Sequence, residues 1–116
     1  MNNKFIEHEA KYDWGDDYQF MEAHGYAVGR VYTLKEEQNV AYIEGVHVSK
    51  EQRNKKLGTE LLNKLIDKCM DIKAKECMLW CDKNKWMYEW YQRLGFKYWG
   101  DKKGQEGFVW MIKYLN

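Results

Sequence analysis

The sequence predicts an α/β or α+β fold in which two helices cover a central β-sheet. Three observations support this prediction. The hydrophobic period alternates between two residues and about 3.6 residues along the chain. Strand patterns outnumber helix patterns. The length of 116 residues allows one domain, residues 1–116, but is too short for two.

The first half of the chain is predicted to be mainly strand. Residues 1–17 are mixed and acidic toward their end, with one possible strand near Phe5-Ile6. Alternating apolar residues predict strands at 18–21 and 26–34, followed by a polar turn at 35–39 and a third strand at 40–48. On one face of this third strand we expect Val40, Tyr42, Glu44, Val46 and Val48.

The second half carries two helical patterns. Leucines at helical spacing predict an amphipathic helix at about 57–73, followed by a strand at 76–81. A second helix is indicated by Met87, Trp90, Tyr91 and Leu94, which recur at i, i+3, i+4 and i+7. We expect Asp82 or Asn84 to cap its start and Gly95 its end. Two final strands, 96–99 and 108–115, flank the polar loop 100–107.

Composition and charge exclude several classes of protein. A net charge of +1 provides no overall attraction to nucleic acid or to an anionic membrane. No apolar run resembles a signal peptide or a membrane span, so a cytoplasmic protein is expected. The three Cys are interpreted as buried reduced thiols rather than as a disulfide framework or a zinc site, so no metal is expected. The six Trp are interpreted mainly as core residues, with a pocket lining as the alternative.

A short basic loop lies between the third strand and the first long helix, at Ser49 to Thr59. A strand, a Gly-containing loop and a helix start form the usual site for a phosphate, because free backbone N–H groups and the helix dipole favour negative charge there. Arg53, Lys55 and Lys56 would add charge-assisted contacts. Taken alone the pattern is weak, since basic loops are usually only solvated.

Two linked motifs make the pattern specific, because Arg53-Asn-Lys-Lys-Leu-Gly58 is followed at the right spacing by Asn84 and Tyr91-Gln-Arg-Leu-Gly-Phe96. Together they resemble the GNAT N-acetyltransferases over about residues 18–115. The resemblance implies a mixed, mostly antiparallel central sheet with two covering helices. Only about 17 residues precede the segment of resemblance, so the helices that usually come before it are expected to be reduced or absent.

The resemblance also implies that acetyl-CoA is the co-substrate and identifies residues that would bind it: Val46, His47, Val48, Arg53, Asn54, Lys55, Lys56, Leu57, Gly58, Thr59, Asn84 and Tyr91. Backbone groups of the strand would hold the pantetheine arm. Tyr91 would protonate the departing thiolate, with a purely structural core tyrosine as the alternative. Lys56 stands where the family usually has Gly, and it is compatible with the loop if its φ is negative and its side chain turns to solvent or onto a phosphate.

Glu44 is the candidate base. Freeing the lone pair of an alkylammonium at pH 7 costs about 4.6 kcal/mol, so an amine acceptor benefits from a nearby base. A carboxylate within an apolar strand is expected to have either a catalytic role or a charged or hydrogen-bonding neighbour. The structural alternative is an ion pair with a neighbouring strand residue such as Arg30. The resemblance also implies that Gly45, next to Glu44, suits the bulge by which this family opens its sheet for the cofactor.

The acceptor cannot be read from the motifs: a protein or peptide amine and a small molecule such as an aminoglycoside or a polyamine both fit. A homodimer is expected, because missing helices would leave a sheet edge and aromatic surface uncovered. The alternative is a monomer in which residues 1–17 fold over the edge as a strand of their own. Two other functions stay open: a GNAT-like module that binds acyl-CoA with little or no catalysis, and an unrelated aromatic-rich binding domain.

Overall fold

Seven strands form one mixed sheet in the computed structural model, which describes residues 4–53 and 56–115. The elements are β1 (Phe5–Tyr12), β2 (Gly15–Glu22), β3 (Ala27–Leu34), β4 (Glu37–Val48), a short 3₁₀ helix (Lys50–Gln52), α1 (Leu57–Asp71), β5 (Glu76–Asp82), α2 (Trp86–Arg93), β6 (Lys97–Asp101) and β7 (Phe108–Tyr114). The strand order is β1-β2-β3-β4-β5-β7-β6, and only β4 and β5 are parallel. The predicted fold class is confirmed.

The first four strands form a continuous antiparallel meander. A two-residue turn joins β1 to β2. The described residues before α1 contain four strands and the short 3₁₀ helix but no α-helix. The possible strand near Phe5-Ile6 is therefore the start of a full edge strand. β2 begins three residues earlier than predicted, and β4 begins at Glu37 within the predicted turn. The residues that extend these two strands are mostly polar, so hydrophobic alternation gives no signal there.

Both helices pack on the same face of the sheet, called here the helix face. The apolar side of α1 joins one core with Tyr18, Val31 and Ile43 from the strands, and Tyr91 of α2 belongs to the same core. The opposite side, called the helix-free face, carries no helix of the described residues. α1 ends two residues earlier than predicted, because Lys73 adopts a left-handed φ of 68° that stops the helix.

A bulge in β4 changes which side chains share a face. Ala41 and Ile43 belong to the core, and Gly45, with φ of 68°, is followed by Val46 and Val48, which pack against the same core. The pairing register with β3 shifts at this point. The prediction that Glu44 shares a face with Val46 and Val48 is therefore wrong: the extra residue turns the two valines to the helix face.

All three cysteines are free and buried, as predicted. Burial raises the pKa of the Cys81 thiol to about 11. Among the residues described, no helix has the length and apolarity needed to cross a membrane.

Candidate active site

The sheet opens between its two parallel strands. β4 and β5 pair at three positions, the last of which joins Tyr42 to Met78. Beyond it β4 continues along β3, whereas β5 stays paired with β7. A cleft of about 760 Å³ lies at the open end and is lined by Val46, His47, Val48, Arg53, Lys56, Gly58, Thr59, Trp86, Met87, Trp90, Tyr91 and Arg93.

The cleft brings together most of the predicted site residues. Eight of them line it, from the end of β4, the basic loop, the first turn of α1 and α2: Val46, His47, Val48, Arg53, Lys56, Gly58, Thr59 and Tyr91. Leu57 instead points into the core, where it is 7% exposed. Asn54 and Lys55 lie outside the described residues. The binding roles of these residues stay predictions.

Lys56 occupies the position before the first residue of α1 with φ of 65° and ψ of 7°. The condition of a negative φ, under which Lys fits this position without strain, is therefore not met. The left-handed conformation lets the chain turn from the loop into the helix and is one that Gly adopts without cost. A Lys here keeps the turn at a cost of roughly 1–2 kcal/mol, since its Cβ crowds the backbone.

The basic loop is tied to the end of β4. The Arg53 Nε donates a hydrogen bond to the carbonyl oxygen of Val48 at 3.2 Å, which holds the guanidinium at the mouth of the cleft. Lys56 is exposed beside it, and the N–H groups of the first turn of α1 face the same region. Two cations and a helix start therefore converge on one end of the cleft, as an anion-binding site requires.

Gly58 permits close packing where the helices meet the strand. A Cβ at this position would lie 3.4 Å from a methyl group of Val48 and 3.6 Å from the Trp90 ring. These are ordinary van der Waals distances, so an Ala would fit here, whereas a side chain longer than a methyl group would meet Val48 and Trp90. The second Gly of the loop motif therefore stands where α1, α2 and the end of β4 pack together.

The second motif is a helix cap that positions Tyr91. The N–H of Gly95, with φ of 99°, donates to the Gln92 carbonyl at 3.0 Å, and the N–H of Phe96 donates to the Tyr91 carbonyl at 3.0 Å. These two bonds define a Schellman motif, whose usual apolar contact is made here by the Tyr91 and Phe96 rings at 5.9 Å. The predicted role of Gly95 at the helix end is confirmed.

Tyr91 is at once a core residue and a cleft residue. It is 7% exposed, packs against Trp90 with ring centroids 5.2 Å apart, and lines the cleft. Burial, followed by the nearby Cys81, raises the pKa of its phenol to about 12. The phenol is therefore fully protonated at neutral pH, as a proton donor must be.

The start of α2 differs from the prediction. Lys85 is the N-cap residue and makes no capping hydrogen bond with its side chain. Asp82 instead accepts the backbone N–H of Asn84 at 2.9 Å, which closes the turn before the helix. Asn84 is exposed in this turn and is not among the residues that line the cleft, so its contact with the cofactor stays a prediction.

Sequence reasoning did not assign Trp86, Met87, Trp90 and Arg93 to the site, although all four line the cleft. Met87 and Trp90 were interpreted as core residues because they share the helical spacing of Tyr91. Their spacing could have indicated the cleft, since a residue beside a site tyrosine on one helix face has the same surroundings. Nothing in the sequence shows which part of that face the sheet leaves open.

Glu44 lies on the helix-free face and does not line the cleft. It accepts a hydrogen bond from Arg30 Nη1 at 3.0 Å, and Arg30 Nε donates to Asp17 at 2.9 Å. The predicted ion pair with Arg30 is confirmed. Sequence reasoning offered no reason to select Asp17 as a site residue. In the structure its side chain is only 5% exposed.

A sheet that opens between two parallel strands, with a basic loop and a helix start at the opening, is an arrangement that suits an elongated anionic ligand. The family model for the acetyltransferase (GNAT) family matches residues 3–96. The chain therefore belongs to the GNAT acetyltransferase family. No curated protein sequence matches the chain.

Solved structures share the fold at low sequence identity. A GNAT acetyltransferase from Elizabethkingia anophelis with acetyl-CoA bound is 13% identical, with a TM-score of 0.74 over 98% of this chain and 100% of that one. A GNAT acetyltransferase from Staphylococcus aureus is 21% identical, with a TM-score of 0.68 over 88% and 68%. Nourseothricin acetyltransferase is 13% identical, with a TM-score of 0.70 over 97% and 85%.

Proposed function

We propose that this protein is an N-acetyltransferase that moves an acetyl group from acetyl-CoA to a primary amine. The observation that carries the proposal is the cleft between β4 and β5, which residues of both family motifs line together. The three buried free cysteines suit a reducing compartment such as the cytoplasm.

The residues at the cleft fit acetyl-CoA. At its outer end Arg53 and Lys56 lie beside the start of α1, where a pyrophosphate would meet two cations and free N–H groups. Along its inner wall the β4 residues after the bulge have lost their β5 partner strand, so their backbone groups can pair with the amides of the pantetheine arm. A volume of about 760 Å³ is ample for this arm.

Two residues on different sides of the opening carry out the two proton transfers of the reaction. The acceptor nitrogen attacks the thioester carbonyl carbon and forms a C–N bond, and the C–S bond breaks. Tyr91 gives its phenolic proton to the departing thiolate and regains one from solvent. Glu44, paired with Arg30 at the edge of the opening, takes the proton that the amine loses, directly or through one water.

Thiol release on addition of acetyl-CoA and a panel of primary amines tests the proposal. Activity that needs both substrates and falls in a Tyr91→Phe variant supports it. Acetyl-CoA binding by calorimetry without thiol release from any amine would favour a cofactor-binding module instead. Absence of binding would contradict both functions.

A further inference from the structure

The helix-free face carries a row of aromatic rings that crosses five strands or their turns. We call it the aromatic row; it consists of Trp14, Tyr32, Tyr42, Trp80, Phe108 and Trp110. Neighbouring ring centroids lie 5.1–6.2 Å apart from Trp14 through Tyr32 and Tyr42 to Trp110, and Trp80 lies 5.5 Å from Phe108. Trp80 and Trp110 are direct cross-strand partners, so the two groups of rings lie side by side on neighbouring strands. Five of the six rings are only half-buried.

The aromatic row reaches the opening of the sheet. Tyr42 and Met78 are the last paired residues of β4 and β5, and Glu44 and Trp80 each lie two residues further along the parallel strands. Side chains two residues apart point to the same face. Glu44 and Trp80 therefore stand at the same level, on opposite sides of the opening. The helix face of the opening holds the cofactor cleft, so an acceptor approaches from this side.

Two cations of the protein already lie on the aromatic row. The Arg30 guanidinium is 4.8 Å from the centre of the Tyr32 ring. The Lys102 ammonium, from the loop between β6 and β7, is 5.0 Å from the centre of Trp80 and 6.0 Å from that of Trp110. Indole rings are the best aromatic partners for an ammonium. The Trp80 and Trp110 rings thus form a platform on which an alkylammonium is stably placed.

The charge beside the opening also favours a cation. Asp17 and Glu44 share a single guanidinium, that of Arg30, at 2.9 and 3.0 Å. The cluster of two carboxylates and one guanidinium therefore has a formal charge of −1. A substrate with one amine at the thioester and a second ammonium nearby would meet this charge and the indole platform together.

We propose that the Trp80 and Trp110 platform binds a second ammonium group of the acceptor, and that Lys102 occupies this place until the acceptor displaces it. The inference rests on the proposed acetyl transfer and narrows the acceptor to amines with two or more cationic groups, the polyamine class. The platform holds one charged nitrogen while the other, once deprotonated, attacks the thioester.

A binding measurement that needs no catalysis tests the platform. Tetramethylammonium chloride has a cation that cannot be acetylated, and it is titrated into protein with ¹⁵N-labelled Trp while the indole N–H signals are followed by NMR. Sodium chloride at equal ionic strength is the control. We expect the Trp80 and Trp110 signals to shift, the affinity to rise in Lys102→Met, and the affinity to fall about 2- to 30-fold in Trp80→Leu. Trp99→Leu, on the exposed edge strand β6, is the matched control and should bind as the wild type does.

Steady-state kinetics give the second readout. The ratio of kcat/KM for 1,4-diaminobutane to that for butylamine should clearly exceed the statistical value of about two, which its two equivalent amino groups give, and should fall toward that value in Trp80→Leu. If tetramethylammonium shifts neither indole signal in the wild type or in Lys102→Met, the platform is wrong even when amines are acetylated. If it binds as expected but no amine is acetylated, the acetyl-transfer proposal fails and the cation site stands. A diamine ratio that Trp80→Leu leaves unchanged would overturn the role of the platform in acceptor choice.

Discussion

Glu44 of β4 and Arg30 of β3 are direct cross-strand partners, and their side chains form an ion pair at 3.0 Å on the helix-free face. The pair is about one-third exposed on both sides, with side-chain exposures of 37% and 31%. Exposed pairs contribute only about 0–1 kcal/mol to stability. Because the pair contributes so little to stability, the fold does not depend on the carboxylate, which is therefore a candidate for chemistry.

Replacing Glu44 with Gln should lower turnover without unfolding the protein. Gln keeps the size of the side chain but cannot take a proton, so kcat should fall by about 10²–10⁴-fold, the usual contribution of one general base. The melting temperature should change by only a few degrees. Glu7→Gln is the matched control, because Glu7 forms a comparable ion pair with Lys68 on the other face of the sheet, at 2.7 Å. Full activity in Glu44→Gln would leave Glu44 a structural residue.

Arg53→Ala should weaken acetyl-CoA binding by about 1.5–3 kcal/mol, the usual contribution of a hydrogen bond to a charged group. The guanidinium lies at the mouth of the cleft, held by the Val48 carbonyl. Isothermal titration calorimetry measures the change. Lys50→Ala removes a neighbouring exposed cation that does not line the cleft and should leave the dissociation constant unchanged. Equal losses in both variants would indicate a general charge effect instead of a phosphate contact.

Tyr91→Phe should leave stability almost unchanged while turnover falls by about 10²–10⁴-fold. The ring contacts with Trp90 and Phe96 remain, and only the phenolic proton is lost. Tyr88→Phe, on the same helix but outside the cleft lining, is the matched control. Retained turnover with a lower melting temperature would instead identify Tyr91 as a structural core residue.

The pH dependence of the same reaction follows from two pKa values. The free fraction of an alkylamine rises about tenfold per pH unit below its pKa of about 10.4, so kcat/KM for the amine should rise between pH 7 and 10. Because burial raises the pKa of Tyr91 to about 12, the phenol keeps its proton throughout this window. A fall in kcat/KM that begins near pH 8 and disappears in Tyr91→Phe would contradict this assignment.

Lys56→Gly and Lys56→Ala should differ in stability. Both variants remove the ammonium, but only Ala keeps the Cβ that crowds the backbone at φ of 65°. The energetic cost of the left-handed conformation for Ala outweighs the greater unfolded-state entropy of Gly. The free energy of unfolding of the Gly variant should therefore be about 1 kcal/mol higher than that of the Ala variant. Urea denaturation of the pair measures the difference. Equal stability would mean that the turn does not need this conformation.

We also propose a homodimer that covers the β1 edge of the sheet. Ile6 and Met21 are cross-strand partners next to this edge and are 48% and 42% exposed. Open edges and apolar surface favour pairing with a second copy. Sedimentation equilibrium at micromolar concentration should give a mass near twice 14.1 kDa, and Ile6→Lys should dissociate the dimer. A single species of monomer mass in the wild type would exclude it.

Hydrophobic period and two motifs in the sequence were enough to predict the order of strands and helices and to single out the basic loop and Tyr91, which line the same cleft. These features are local: a strand, a turn and a helix cap such as Tyr91 to Phe96 are decided by residues within a few positions of one another. The sequence also predicted the pairing of Glu44 with Arg30, as one of two alternatives, because neighbouring strands place opposite charges together.

Only the tertiary structure decided which face each side chain occupies. The bulge at Gly45, which the family resemblance implied, turns Val46 and Val48 toward the helices, and a one-residue insertion of this kind leaves no trace in an alternating pattern. The left-handed Lys56 is set by the fixed ends that its turn must join, so residue type alone did not determine its φ. The aromatic row exists because β3, β4, β5, β7 and the turn between β1 and β2 bring distant rings side by side, and such contacts depend on strand order and register, which are properties of the whole sheet.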